Sequence, residues 1–274
     1  MDKNTTYYGS IASKPGSFGL EFHNKGFNEL GLNSSYQALK ILPEQLAMFM
    51  QIVRQNPSFM GIGVSMPHKL EVMKYIDSLH YSAERCGAVN TVIRQGDSTL
   101  RGFNTDYMGA KRAIESSVDI NGKDVYMLGA GGAAQAVSLA VKELGGKLHI
   151  SNRNPQKASD LAKMFGAETF QSEYREYSGE LLINATSIGM APDTHASPVD
   201  EQVIENFEHV MDLVVTRGGI ETKFVQDAKK LGKPIIHGLL MTTYQGAEQF
   251  KLYTGKELPS RFLDDFMQYW ANGQ

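Results

Sequence analysis

The segment Val125-Tyr126-Met127-Leu128-Gly129-Ala130-Gly131-Gly132-Ala133-Ala134 constrains this chain more than any other. An apolar run breaks into glycines and continues as a helical pattern from Gln135 to Leu144. A second apolar run, Leu148-His149-Ile150-Ser151, follows. Strand, glycine turn, helix and strand in this order form a βαβ unit with the pattern G-x-G-x-x-A. Gly129 permits a tight turn. Gly131 removes a Cβ, so that a pyrophosphate can approach the backbone. Ala134 allows close packing of helix on sheet. The helix N-terminus adds unpaired N–H groups and the positive end of a dipole. The unit therefore reads as a dinucleotide site, the alternative being an ordinary tight βα turn.

After the second strand come Asn152-Arg153-Asn154. An acidic residue at this point would receive the ribose 2′-hydroxyl of NAD. Arg153 stands there instead, with Lys157 one turn further on. A guanidinium can grip a 2′-phosphate through two parallel bonds and stack on adenine. The pair favours NADP over NAD, the alternative being a solvated basic residue at a helix start.

Apolar runs alternate with helical patterns along almost the whole chain, which predicts an α/β fold. In the first part, strands are predicted at Tyr7–Ile11, Ser35–Leu39, Phe59–Val64, Ala88–Arg94 and Thr99–Phe103. Helices are predicted at Phe18–Leu30, Pro43–Asn56 and from Met66 to about Tyr75. From Val125 the strands are Val125–Leu128, Leu148–Ser151, Leu181–Asn184, His209–Val214 and Pro234–His237. Helices near 133–144, 155–165, 200–206 and 222–231 lie between them. This is the series that builds a doubly wound parallel sheet. Two closing helices, Met241–Tyr253 and Pro259–Trp270, end the chain.

Composition narrows the function classes. The 274 residues suit two domains, and 27 basic against 30 acidic side chains give no attraction for a nucleic acid or an anionic membrane. A single cysteine, Cys86, can neither close an internal disulfide nor hold a metal alone. The uncharged stretch from Tyr126 to Val141 is too short for a bilayer, and Met1 to Thr5 lacks the apolar run of a signal peptide. A cytoplasmic protein without a metal centre is expected. No Gly-x-Ser-x-Gly elbow points to a serine hydrolase.

Small polar residues gather at the ends of the first strands, in Ser65-Met66-Pro67-His68-Lys69, Gly87-Ala88-Val89-Asn90-Thr91 and Asn104-Thr105-Asp106. Lys69 and Asp106, if they meet in a cleft, would form an ion pair able to give a proton to an alkoxide. Two unrelated surface charges are the alternative, since spacing does not show that they meet. His23, beside Asn24 on the first helix, reads as structural.

Taken together, these motifs resemble the shikimate dehydrogenase family, nearly end to end. The resemblance includes Ser13-Lys14-Pro15, Ser17 and His23-Asn24, then the three clusters just given. It continues through Gly129 to Ala134, Asn152-Arg153 and Asn184-Ala185-Thr186-Ser187-Ile188-Gly189-Met190, and closes with Gly238, Met241 and Gln245-Gly246-Ala247. It implies an NADP-linked, reversible reduction of 3-dehydroshikimate to shikimate, in aromatic amino-acid biosynthesis. Lys69 and Asp106 would be the catalytic pair. Ser17, Ser65, Asn90, Thr105 and Gln245 would bind the substrate. Gly129, Ala130, Gly131, Gly132, Ala133 and Ala134 would hold the pyrophosphate, with Asn152, Arg153 and Lys157 at the adenosine phosphate. Thr186, Ser187 and Met190 would border the cofactor, and Met241 the nicotinamide. A substrate domain at 1–105, completed by 239–274, would join a Rossmann domain at 106–238. The protein would act as a monomer or homodimer.

Four positions depart from the family pattern. Gly19 stands for the second serine of the N-terminal motif, Gly63 for an asparagine, Val215 for a pocket tyrosine and Leu240 for a glycine. Three polar pocket groups are thereby lost, which resembles a divergent shikimate dehydrogenase-like branch. Quinate or another cyclic hydroxy acid is the rival substrate, and a non-catalytic NADP(H)-binding regulator is the rival from outside enzymology.

Overall fold

The computed structural model describes residues 5–171 and 176–273. Its chain divides into two compact units, Met1–Met108 with Gln245–Phe266, and Gly109–Tyr244 with Met267–Gln274.

The first unit carries β1 (Thr6–Ala12), β2 (Ser34–Lys40), β3 (Phe59–Val64), β4 (Ser78–Leu79), β5 (Thr91–Arg94) and β6 (Leu100–Phe103). They form one sheet in the order β2-β1-β3-β5-β6-β4. β1 pairs parallel with β2 and β3, whereas β5 runs antiparallel to both β3 and β6. The chain also forms α1 (Phe18–Glu29), α2 (Leu46–Gln55), α3 (Tyr81–Cys86) and α4 (Thr105–Glu115). Ile11, Val53, Ile62, Val92 and Leu100 are wholly buried in one cluster, drawn from alternate strand positions and the inner face of α2.

Two expectations fail here for local reasons. The helix predicted from Met66 is a turn followed by a 3-10 helix, Glu71–Tyr75. The Met73 N–H donates to the Leu70 carbonyl at 3.3 Å, an i→i−3 bond, while the Lys69 carbonyl accepts from the Val89 N–H at 2.9 Å. The strand predicted from Ala88 begins only at Thr91. The Asn90 N–H and carbonyl bond Phe103 and Val64, but the side chain turns into a polar cluster. Helices α3 and α4 were not anticipated.

The second unit contains β7 (Asp124–Leu128), α5 (Gly132–Glu143), β8 (Lys147–Ser151), α6 (Pro155–Phe165) and β9 (Glu168–Thr169). It continues with β10 (Gly179–Asn184), α7 (Glu201–Ile204), β11 (Phe207–Asp212), α8 (Lys223–Lys230) and β12 (Ile235–His237). The strand order is β12-β11-β10-β7-β8-β9, and every pairing is parallel. The order in which the strands are added reverses at β7, so the crevice between the carboxyl ends of β7 and β10 is the topological switch point, where such sheets bind ligands. This is the doubly wound fold anticipated from the βα alternation.

Two long helices close the chain, α9 (Gly238–Thr254) and α10 (Ser260–Ala271). Each crosses the division between units. Residues 267–274 group with the second unit, not with the first as expected. The Trp270 indole N–H donates to the Thr216 carbonyl at 3.1 Å and Arg217 lies 4.6 Å from the Trp270 ring centre, which ties the chain end to the loop after β11. Among the described residues no helix is long and apolar enough to cross a membrane, and no cluster of His, Cys, Asp and Glu could hold a metal.

Candidate active site

In the second unit a cavity of about 680 Å³ opens at the carboxyl ends of β7, β8 and β10. Gly129, Ala130 and Gly131 line it, together with Asn152, Arg153, Lys157, Thr186 and Ser187. Gly129 has φ of +115°, and a Cβ there would lie 2.6 Å from the Ala185 carbonyl oxygen. Only glycine fits that approach. Gly131 caps α5 in an extended conformation, and neither it nor Gly132 has a neighbour within 4 Å of its Cβ direction. Neither glycine's missing side chain is replaced by another group, so the turn is open at the start of α5. Asn154 caps α6 by accepting from the N–H groups of Gln156 and Lys157, which sets Arg153 just ahead of a helix N-terminus. An open glycine cradle with two cations at one end fits a phosphorylated dinucleotide.

The wall formed by residues 184–188 is held from behind by a buried carboxylate. Asp212 accepts from Asn184 Nδ2 at 2.9 Å, Thr222 Oγ1 at 2.5 Å and the Val214 N–H at 3.1 Å. Asn184 Oδ1 in turn accepts from the Thr186 hydroxyl at 2.7 Å. Burial raises the Asp212 pKa above the usual carboxylate range, against these three bonds. Gly132, Ala133, Ala134, Met190 and Met241 do not line this cavity. Leu240 lines a separate, mostly apolar cavity of about 500 Å³ with Val214, His237 and Met267.

In the first unit Lys69 and Asp106 do meet. Lys69 Nζ lies 2.5 Å from Asp106 Oδ2, with side chains 23% and 17% exposed. That leaves the ammonium reachable yet partly stripped of water. Asp106 is the second residue of α4, where a carboxylate also faces the helix N-terminus. Asn104 caps that helix, its Oδ1 accepting from the Tyr107 N–H at 3.1 Å.

Asn90, Thr105 and Gln245 form one hydrogen-bonded group. Asn90 Oδ1 accepts from the Thr105 N–H at 2.7 Å. Gln245 Oε1 accepts from Thr105 Oγ1 at 3.2 Å and from Asn90 Nδ2 at 3.4 Å. Ser65 is exposed just past the end of β3 and outside this group, while Ser17 occupies the N-cap position of α1. Thr91 and Gln249 join the group, and Gln249 was not singled out from the sequence: its Nε2 donates to Thr91 Oγ1 at 2.8 Å. Gln249 lies four residues after Gln245 on α9, a spacing that puts both on one face.

Two of the departures share one neighbour. A Cβ at Gly19 would lie 3.1 Å from the Tyr36 hydroxyl, and one at Gly63 would lie 3.0 Å from the same atom. Tyr36 is wholly buried, and burial pushes its hydroxyl up to about 12. The room beside both glycines is thus bordered by a tyrosine hydroxyl that no sequence motif marked.

Residues 16–92 match the family model for the shikimate dehydrogenase substrate binding domain. The shikimate dehydrogenase (NADP(+)) of Methanocaldococcus jannaschii is 37% identical over 255 residues, covering 88% of each chain. A crystal structure of a shikimate dehydrogenase in complex with NADP+ superposes with a TM-score of 0.90 at 32% identity, over 99% of this chain and 97% of that one. The structure of a shikimate 5-dehydrogenase-like protein gives a TM-score of 0.88 at 31% identity, over 98% of both chains. With identity of this order over most of its length, the chain belongs to the shikimate dehydrogenase family.

Proposed function

We propose that this protein is an NADP-dependent oxidoreductase that interconverts 3-dehydroshikimate and shikimate, a step of aromatic amino-acid biosynthesis. The Lys69–Asp106 ion pair, beside the Asn90–Thr105–Gln245 group, carries the reading. A ring ketone that is reduced gains negative charge on oxygen and needs a proton there. Lys69 would supply it from Nζ, and Asp106 would hold the ammonium in place. Asn90, Thr105 and Gln245 would take the substrate's hydroxyls, with Ser17 and Ser65 at its carboxylate. Asn152, Arg153 and Lys157 would hold the 2′-phosphate of NADP, and the turn from Gly129 to Ala134 its pyrophosphate. Thr186, Ser187, Met190 and Met241 would flank the rest of the cofactor. NADPH, when bound, supplies the hydride. The protein would work in the cytoplasm, as a monomer or homodimer, on a small molecule.

Gly19, Gly63 and Val215 favour a second reading, in which quinate or another cyclic hydroxy acid is the better substrate. Each polar contact missing from a pocket built for hydroxyls costs about 1–3 kcal/mol. The test is NADPH formation from NADP+, with NAD+ as control, on shikimate and quinate. Wild type is expected to turn over one of the two acids. Lys69→Ala is expected to lower kcat by about 10²–10⁴-fold while NADPH binding persists. Turnover undiminished in Lys69→Ala, or none on either acid in wild type, would sink the assignment.

A further inference from the structure

Behind Asn90 and Gln245 lies a second layer of buried polar groups that the proposed chemistry does not use. His23 is only 1% exposed on α1, stacked 4.5 Å from the Tyr36 ring, with the tilted ring of Tyr253 5.3 Å away. Its Nε2 lies 3.2 Å from Gln249 Oε1. Gln249 Nε2 donates to Thr91 Oγ1 at 2.8 Å and to the Asn90 carbonyl at 3.4 Å. Thr91 Oγ1 donates to Asn90 Oδ1 at 2.9 Å.

Groups with a single role fix the sense of this chain. A backbone carbonyl only accepts, so the end of Gln249 facing the Asn90 carbonyl is its NH2. Its Oε1 therefore faces His23, and His23 Nε2 must carry the proton. Nδ1 is then a bare lone pair, and it has no partner among the described residues. Burial keeps the ring neutral, lowering its pKa to about 3. At the far end the Thr105 N–H only donates, which turns Asn90 Oδ1 toward it and Asn90 Nδ2 toward Gln245. Gln245 Oε1 is taken by Asn90 and Thr105, so its NH2 is left as a donor. A phenylalanine would fill the same place among aromatic rings without a stranded nitrogen. The histidine is accounted for by the one bond it gives.

We propose that His23 is a positioning residue: its Nε2–H locks Gln249 and, through Thr91, holds the amides of Asn90 and Gln245 so that both present N–H donors to the substrate's hydroxyl oxygens. This rests on the reading above that Asn90 and Gln245 face the substrate.

The test starts with ¹⁵N-labelled histidine in the full chain at neutral pH. The expected spectrum shows His23 as the neutral Nε2–H tautomer; an Nδ1–H tautomer or a cation overturns the proposal. Kinetics follow on whichever acid the wild type turns over. His23→Phe is expected to raise its KM about 10-fold, with kcat and the KM for NADP+ moving less than about twofold. Gln249→Leu should do the same, and the double variant should add little to either, since all act through one chain. Additive effects, an unchanged KM, or substrate and cofactor KM rising together would each overturn it. If the wild type turns over neither acid, the proposed function fails, while the tautomer and the Asn90 and Gln249 side-chain amide resonances still decide this inference. Those resonances are expected as single sharp pairs that split or broaden in His23→Phe; no change between the two proteins overturns the proposal.

Discussion

Gly129 and Gly131 sit two residues apart and do different work. At Gly129 a side chain meets the Ala185 carbonyl oxygen at 2.6 Å, and φ of +115° is closed to other residues. At Gly131 the backbone is extended and nothing lies within 4 Å. Gly129→Ala is therefore expected to lower unfolding free energy by about 1–3 kcal/mol, read from urea titration. Gly131→Ala is expected to leave stability within about 0.5 kcal/mol yet weaken NADPH binding at least about 10-fold, read by fluorescence titration. Equal stability losses in both variants would contradict the division of roles. The glycine pattern was legible because a turn of this kind admits few sequences. Lys69 and Asp106 were legible as residue types, but their meeting was not, since it depends on how the chain folds between two residues 37 positions apart. Tyr36 and Gln249 left no local signal at all: one matters through two glycines distant in sequence, the other through a strand it reaches across 158 positions.

Among the elements, β7, α5 and β8 could be read almost to the residue because apolar strands, glycine turn and helix cap agree with one another. The α4 helix was overlooked although Ala110, Ala113 and Ile114 give it a buried stripe at helical spacing. Its polar opening, Asn104-Thr105-Asp106, drew attention as chemistry and hid its second task as a helix cap and first turn. The segment after Ser65 failed the other way, since Met73 bonds back only three residues, to Leu70, and the Lys69 carbonyl is drawn to the distant Val89 N–H. The start of α6 carries the next prediction. Asn154 caps it and Pro155 opens it, so Arg153 is fixed on a defined turn and not on a loose loop. A charge-assisted bond contributes about 1.5–3 kcal/mol. Arg153→Ala is accordingly expected to raise the KM for NADP+ by about 10–100-fold while activity with NAD+ changes little. An equal loss with both cofactors would remove Arg153 from the 2′-phosphate.

At the scale of the molecule, the buried ionisable groups set how the fold responds to acid. His23 is fully buried, with its pKa lowered from 6.5 to about 3 by desolvation. Above pH 6.5 it is neutral folded and unfolded, and contributes nothing to the pH dependence. Below 6.5 the unfolded chain binds a proton that the folded chain refuses, so stability falls as pH falls until about 3. The slope is about 1.4 kcal/mol per pH unit. His237 and His80 are also lowered by burial and act in the same direction. Asp212 acts in the opposite direction: its raised pKa lets the folded chain take up a proton first, so it adds stability as pH falls through that raised value toward 3.8. The His23 window runs from 6.5 down to about 3, and several units at that slope are large against an ordinary total stability of about 5–15 kcal/mol. Wild type should therefore lose urea resistance steadily from pH 7 to 4. His23→Phe should lose less, the difference moving in its favour by about 1.4 kcal/mol per unit below 6.5. Parallel acid limbs for the two proteins would mean that His23 accepts its proton inside the folded chain, against the neutral ring that burial imposes.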